Sequence, residues 1–148
     1  MSIQRAVPFQ TTLFVKDHCI CLHAQRAARA LARRFDKALK PFGLTNGQFS
    51  LLMSLNRPEP PPLSAVADLL AMDRTTLTAA LKPLERDGLL KVIPSEKDRR
   101  ARLLLLTEAG LDVLARALPV WKSEHEALDT EMPQGDMDRL RQDLRRIG

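Results

Sequence analysis

The sequence predicts a mainly helical fold carrying one small β-hairpin. Three observations predict it. Apolar residues recur at steps of three and four through most of the chain, clear helix start signals stand at Thr45 and Asp73, and two short apolar runs flank a charged loop at residues 94–100. A length of 148 residues allows one domain with a real core. The 45% hydrophobic and 28% charged content excludes disordered and fibrous classes, and the absence of Tyr with only six Gly argues against a barrel or sandwich of many hairpins.

Residues 17–39 read as one long helix, with Ile20, Ala24, Ala27, Leu31, Phe35, Ala38 and Phe42 as its apolar stripe and Arg26, Arg29, Arg33 and Arg34 on the remaining surface. Pro41 and Gly43 stop it. Thr45 and Gln48 form a T-x-x-Q capping box, in which each side chain satisfies an orphan backbone N–H, and a second helix runs on through Phe49, Leu52 and Leu55. The proline-rich residues 57–62 make a short rigid connection. Residues 63–70 form a brief helix with Val66, Leu69 and Leu70 on one side. Asp73 then caps a helix over 74–87 that Gly88 closes. Two short helices joined by such a turn are a helix-turn-helix unit. Pro83 should loosen the second near Ala79. Residues 89–93 and 102–106 are expected strands. From Thr107 the pattern is helical again: Leu111, Leu114, Leu118, Trp121, His125 and Leu128 make a heptad seam that suggests helix packing, including against a second chain. Pro119 should bend this helix, and Pro133 opens a last amphipathic segment.

The net charge of +5 is unevenly placed. Residues 16–40 carry seven basic and two acidic groups, residues 82–102 seven against four, and residues 103–148 six against nine. The first basic segment is rich in Ala rather than in bulky apolar groups, so a membrane surface is a poor partner for it and nucleic acid a better one. No apolar run approaches the roughly 20 residues of a membrane span, and the start lacks the apolar core of a secretory signal. Two cysteines two positions apart make no disulfide framework, so a cytoplasmic protein is expected.

Helix-turn-helix, strand, basic loop, strand is the winged helix-turn-helix order, in which the second helix enters the major groove and the loop reaches the backbone or minor groove. Leu77, Leu81 and Leu84 would face inward. Arg74, Thr75, Thr76, Thr78 and Lys82 would face DNA, where Arg suits guanine and Thr suits base edges, thymine methyls or phosphates. The plainer alternative is that the threonines only cap and solvate a helix start. Lys97, Arg99, Arg100 and Arg102 cluster on the loop, and an Arg there suits the narrow minor groove of A·T-rich DNA. Asp98 is expected to pair with a neighbouring Arg and hold it in place.

Taken together, Gly43-Leu44-Thr45 with Gln48-Phe49, Asp73-Arg74-Thr75-Thr76-Leu77-Thr78, Leu84-Glu85-Arg86-Asp87-Gly88-Leu89, Asp98-Arg99-Arg100 and Leu106-Thr107-Glu108-Ala109-Gly110 resemble the MarR family of bacterial transcription regulators. The resemblance implies a winged helix-turn-helix lobe over 43–106 between dimerisation helices at 10–42 and 107–148. It also implies that Arg100, in the family's D-x-R signature, is the minor-groove residue. Members are homodimers on pseudo-palindromic operators, usually repressing until a small ligand or oxidation releases them. The seam of Leu111, Leu114, Leu118, Trp121 and Leu128 would then serve the dimer. Ala79 stands where many relatives carry Arg, a departure that bears on operator sequence.

The segment His18-Cys19-Ile20-Cys21-Leu22-His23 invites two further readings. Cys19 and His23 are one turn apart, but a zinc site needs two more donors, from His125 or a dimer mate, so neither metal nor cofactor is expected. Cys21 occupies, by resemblance, the place of the reactive cysteine in the organic-hydroperoxide branch, whose tyrosines this chain lacks; Gln25 stands where one would be. The resemblance further implies a ligand cleft lined by the first helix, residues 49–53 and the start of the long helix, with His23 or Arg26 holding an aromatic carboxylate or phenolate. Enzymatic function is not expected, since no phosphate loop, nucleophile elbow or metal-spaced pair is present. A nonspecific architectural DNA binder would share the basic patches but not the seam.

Overall fold

The computed structural model describes residues 6–132 and 135–148, so that Arg5 and Pro133 lie outside the described residues. The chain divides into two compact units, Met1–Arg34 and Phe35–Gly148. The boundary falls inside a helix, because Phe35 and Leu39 in its last turns are buried in the second unit.

The first unit holds α1 (Phe9–His18) and most of α2 (Ile20–Leu39). The single helix expected over 17–39 is thus two: Asp17 and His18 close α1, and Cys19 turns to an extended backbone, φ −69° and ψ 108°. Pro8 immediately precedes α1, and Lys16 and His18 in its last turn suit the negative helix end. The His18 ring donates to the Phe14 carbonyl at 2.8 Å and stacks on the Phe14 ring at 4.1 Å. Phe9, Phe14 and Ile20 are each at least 60% exposed, and Ala24, Ala27 and Leu31 of the expected stripe are exposed as well.

In the second unit, a 3-10 turn (Lys40–Phe42) ends at Gly43, whose φ of +72° is the left-handed conformation that glycine tolerates best. Thr45 caps α3 (Asn46–Ser54), and both bonds of the expected capping box are present, at 3.2 Å and 3.1 Å. Asp36 ties the end of α2 to this start, accepting the Asn46 backbone N–H at 2.7 Å and its side-chain amide at 2.8 Å. Helix α4 (Leu63–Leu70) buries Val66 and Ala67, whereas Leu69, expected on the inner side, is 62% exposed. The buried face is centred between Val66 and Ala67, with Leu63 and Leu70 packed beside them, and at about 100° per residue Leu69 falls on the far side of Val66 from that centre.

Helix α5 (Arg74–Arg86) closes in a Schellman motif: Leu89 N–H donates to the Leu84 carbonyl, and Gly88 N–H to that of Glu85, both at 3.0 Å. Strands β1 (Leu90–Pro94) and β2 (Arg102–Leu106) pair antiparallel in a register from Leu90–Leu106 to Pro94–Arg102. The first strand begins one residue later than expected because Leu89 is the last residue of the Schellman turn. The proline-rich segment does more than connect: the Pro61 carbonyl accepts the Leu104 N–H at 2.9 Å along the outer edge of β2. On the other edge, the Glu85 carboxylate accepts the Val92 N–H at 3.1 Å.

Helix α6 (Glu108–Glu131) starts at Thr107, whose hydroxyl accepts the Gly110 N–H and donates to the Gly88 carbonyl at 2.6 Å. Pro83 and Pro119 sit inside helices that continue past them. The residues of the expected dimer seam enter this chain's own core to different degrees. Leu114 is 3% exposed within the single chain, Leu118 and Trp121 pack on the same core, and only Leu111 of the five is exposed. A heptad repeat fixes that a helix packs, not which chain it packs on. Leu39, Leu52, Val66, Leu77, Leu84, Leu90 and Leu104 are all under 2% exposed and form the centre of this core. Asp136 caps α7 (Met137–Ile147), which leaves Leu140, Leu144 and Ile147 exposed along one side.

Candidate nucleic-acid interface

The turn before α5 is built from backbone terms that hold the helix at a fixed angle. Ala71 sits at φ +52°, and Met72 N–H donates to the Ala67 carbonyl at 2.9 Å, so α4 stops within one residue. Asp73 then caps α5: one carboxylate oxygen accepts the Thr76 N–H at 2.7 Å and the other the Thr76 hydroxyl at 2.8 Å. The N–H first, and the hydroxyl second, hold the Asp73 carboxyl below its ordinary value of 3.8. Leu77, Leu81 and Leu84 are buried, and Arg74, Thr75, Thr76, Thr78 and Lys82 are all exposed on the other side.

Two of the three threonines are engaged within the helix start itself. Thr76 donates its hydroxyl hydrogen to Asp73, and Thr78 donates to the Arg74 carbonyl at 2.7 Å. Their hydroxyl lone pairs and methyl groups remain outside, suited to accepting from base amino groups and to touching thymine methyls. Thr75 alone of the three makes no hydrogen bond through its hydroxyl among the described residues.

The wing is a pinned loop. Ser95 N–H donates to the Ala101 carbonyl at 3.1 Å, and Ala101 N–H to that of Asp98 at 3.0 Å, which leaves Lys97, Arg99 and Arg100 at an exposed tip. Asp98 does not hold an arginine head group as expected. Its carboxylate accepts the backbone N–H of Arg100 at 3.0 Å, the two-residue reach of an Asx turn.

Between the wing's base and the starts of α4 and α5 lies an open cleft of about 270 Å³, walled by Ser64, Arg74, Asp98, Arg100 and Arg102. Sequence reading placed Arg102 only in the general basic cluster and missed Ser64. The available signal was Pro62, which precedes α4 and offers no side-chain cap. A second cleft of about 220 Å³ lies where residues 55–58 meet the start of α6, with Leu111 in its wall.

The other candidate residues lie in the first unit. Cys21, His23 and Arg26 are exposed and Cys19 is half-buried. The Cys19 sulfur accepts the Leu22 N–H at 3.4 Å, and the His23 ring donates to the Cys19 carbonyl at 2.7 Å. His125, suggested as a further donor, sits among aromatic rings, 4.2 Å from Trp121 and 4.6 Å from Phe35. Phe49 is buried against Trp121 rather than open to a cleft. Among the described residues no three His, Cys, Asp or Glu side chains converge to hold an ion, and no helix is long and apolar enough to cross a membrane.

Known proteins resemble this one in the same places. A sequence model of the MarR family matches residues 44–101. The transcriptional activatory protein BadR of Rhodopseudomonas palustris is 36% identical over 91 residues, 60% of this chain and 52% of BadR, so the chain spans about half of that relative's length. The M. tuberculosis transcriptional regulator MosR, solved in complex with DNA, is 35% identical with a TM-score of 0.80, covering 88% of this chain and 93% of its own. The transcriptional repressor CouR bound to a 23-mer DNA duplex is 29% identical with a TM-score of 0.79, covering 90% and 94%. CouR bound to p-coumaroyl-CoA is 25% identical with the same TM-score and the same coverage. These relatives regulate transcription; they are not enzymes.

Proposed function

Because this chain belongs to the MarR family of transcriptional regulators, we propose that it is a cytoplasmic repressor that binds a pseudo-palindromic operator as a homodimer and is released by a small aromatic or phenolic effector. The observation that carries this reading is the pairing of a capped α5, with Arg74, Thr75, Thr76, Thr78 and Lys82 exposed, and a pinned basic tip of Lys97, Arg99 and Arg100. Helix and tip would read the major and minor grooves respectively. The dimer is supported by the apolar side chains left bare on the first and last helices, Phe9, Phe14 and Ile20 in one unit and Leu140, Leu144 and Ile147 in the other. An aromatic effector is supported by the CouR complex with p-coumaroyl-CoA and by the exposed His23 and Arg26. Exposure of Cys21 supports a second reading, release by thiol oxidation.

The decisive experiment is a gel shift on the gene's own upstream region against random competitor DNA. A preference of ~10³ or more is expected, with release by phenolic acids or their CoA thioesters. Equal binding to random DNA would mark a nonspecific architectural binder. Arg100→Ala should weaken binding and relax A·T preference beside each half-site, leaving a species of twice the 16.6 kDa chain mass by light scattering. Release by hydroperoxide in wild type and not in Cys21→Ser would select the thiol reading.

A further inference from the structure

We propose that Glu85 is a positioning residue for DNA recognition: its carboxylate ties the reading helix α5 to wing strand β1, so that helix and wing tip meet DNA as one body. The proposal rests on the DNA-binding reading above and adds to it a residue that acts through its neighbours rather than by touching DNA.

Only Asp87, Gly88 and Leu89 connect the end of α5 to the start of β1, and Gly88 turns there with a φ of +75°. Leu90 is fully buried, but from Lys91 to Pro94 the strand is half-buried or exposed. Burial therefore anchors the base of β1 and leaves its outer part to other forces. Glu85 supplies one. Its backbone carbonyl accepts the Gly88 N–H at 3.0 Å and helps close the helix. Its carboxylate reaches across to accept the Val92 N–H at 3.1 Å, two residues nearer the tip than Leu90. Two electrostatic terms disfavour a carboxylate at this place unless it has such a task. It stands in the last turn of α5, where the helix carbonyls already gather negative charge. It also lies within the basic stretch of residues 82–102, which the DNA-binding reading brings against phosphates that it would repel. No cation compensates it: the neighbouring Arg86 pairs with Asp87 at 3.5 Å, and Glu85 has no ion pair among the described residues. A wing free to swing loses that freedom on binding, at a cost in affinity. A wing held in place before contact has already lost it, so the tie is converted into affinity.

The test measures DNA affinity of the full chain by fluorescence anisotropy for wild type, Glu85→Ala, Glu85→Gln, Arg100→Ala and the Glu85→Ala, Arg100→Ala double variant. Amide hydrogen exchange at Val92 is followed beside it. Glu85→Ala should bind about fivefold more weakly and exchange the Val92 amide at least about fivefold faster, the factor that one hydrogen bond of ordinary net strength represents. Glu85→Gln keeps an acceptor oxygen at the same reach and should stay within about twofold of wild type in both measurements. With Arg100→Ala already present, removing Glu85 should cost less than about twofold, because the tie acts through the tip. Fully additive losses would detach Glu85 from the tip and overturn the proposal. Equal losses in the Ala and Gln variants would put the effect on charge, and tighter binding by both would make the carboxylate a source of repulsion only; either result overturns it too. Arg100→Ala binding like wild type would sink the wing reading and this role with it. A wild type with no preference for operator over random DNA would sink the operator reading alone, since the same comparison can be made on any duplex and the Val92 exchange needs none.

Discussion

Gly110 shows how a single hydrogen atom in place of a side chain can hold a fold together. A Cβ there would land well inside contact distance of the Leu89 backbone carbonyl and press on a Leu106 methyl. The same Leu89 carbonyl accepts the Thr107 N–H at 3.2 Å, so it cannot retreat without releasing the start of α6. Gly110→Ala is therefore expected to destabilise by about 3 kcal/mol, at the upper end for overpacking, read as a lower urea midpoint. A loss under about 0.5 kcal/mol would mean the turn can shift freely. Asp73 is the complementary case, an exposed residue whose two oxygens are both occupied by Thr76. It organises the start of α5 through Thr76.

At the scale of elements, the wing and α6 each separate two explanations. Asp98 acts as an acceptor for the Arg100 backbone, so Asp98→Ala should reduce DNA affinity several-fold while thermal stability changes little, consistent with one exposed hydrogen bond of about 1 kcal/mol. Asp98→Asn keeps an acceptor oxygen and should retain most of the affinity; equal losses in both variants would mean that charge, not the turn, matters. For α6, Leu114→Ala should cost about 2–5 kcal/mol, as a core truncation does. That cost should be the same at every protein concentration, whereas a residue in a dimer contact would make it concentration-dependent. Local signals were legible in the sequence: the Thr45–Gln48 box, the Asp73 cap and the Gly88 stop each depend on residues within one turn. The break at Cys19, the backbone role of Asp98 and the intrachain use of the α6 seam were not. Each depends on a contact or a backbone angle that the spacing of side chains leaves open.

Over the whole molecule, two carboxylates among the described residues have lowered proton affinity: Asp36, near the end of α2 and bonded to the start of α3, and Asp73, which caps α5. Asp36 is held below its ordinary 3.8 first by the Asn46 backbone N–H and then by the Asn46 side-chain amide. The unfolded chain takes up these protons first as pH falls. Their contribution to stability is full above 3.8 and is lost as pH drops through the lower folded values. Urea midpoints should fall more steeply below pH 4 in wild type than in an Asp36→Asn, Asp73→Asn double variant; parallel curves would show that other carboxylates govern acid unfolding. The charge pattern also acquires a location. The basic block over 82–102 is the end of α5, the hairpin and its tip, while the more basic block over 16–40 lies mostly in the first unit, away from the expected reading elements in sequence. Ser64 escaped the sequence because serine in a short helix carries no charge to draw notice; only its neighbours in space give it meaning.

The two-stranded hairpin has one more consequence. A short sheet normally offers its outer N–H and carbonyl groups to any passing extended chain, the usual beginning of aggregation. Here the outer side of β2 is met at Leu103 and Leu104 by Pro61 and Pro62, which have no N–H to extend the ladder, and the Val92 N–H of β1 is taken by Glu85. The hairpin is sealed on both flanks. It can present a dense row of arginines at its tip, and be made in quantity, without recruiting further copies edge to edge.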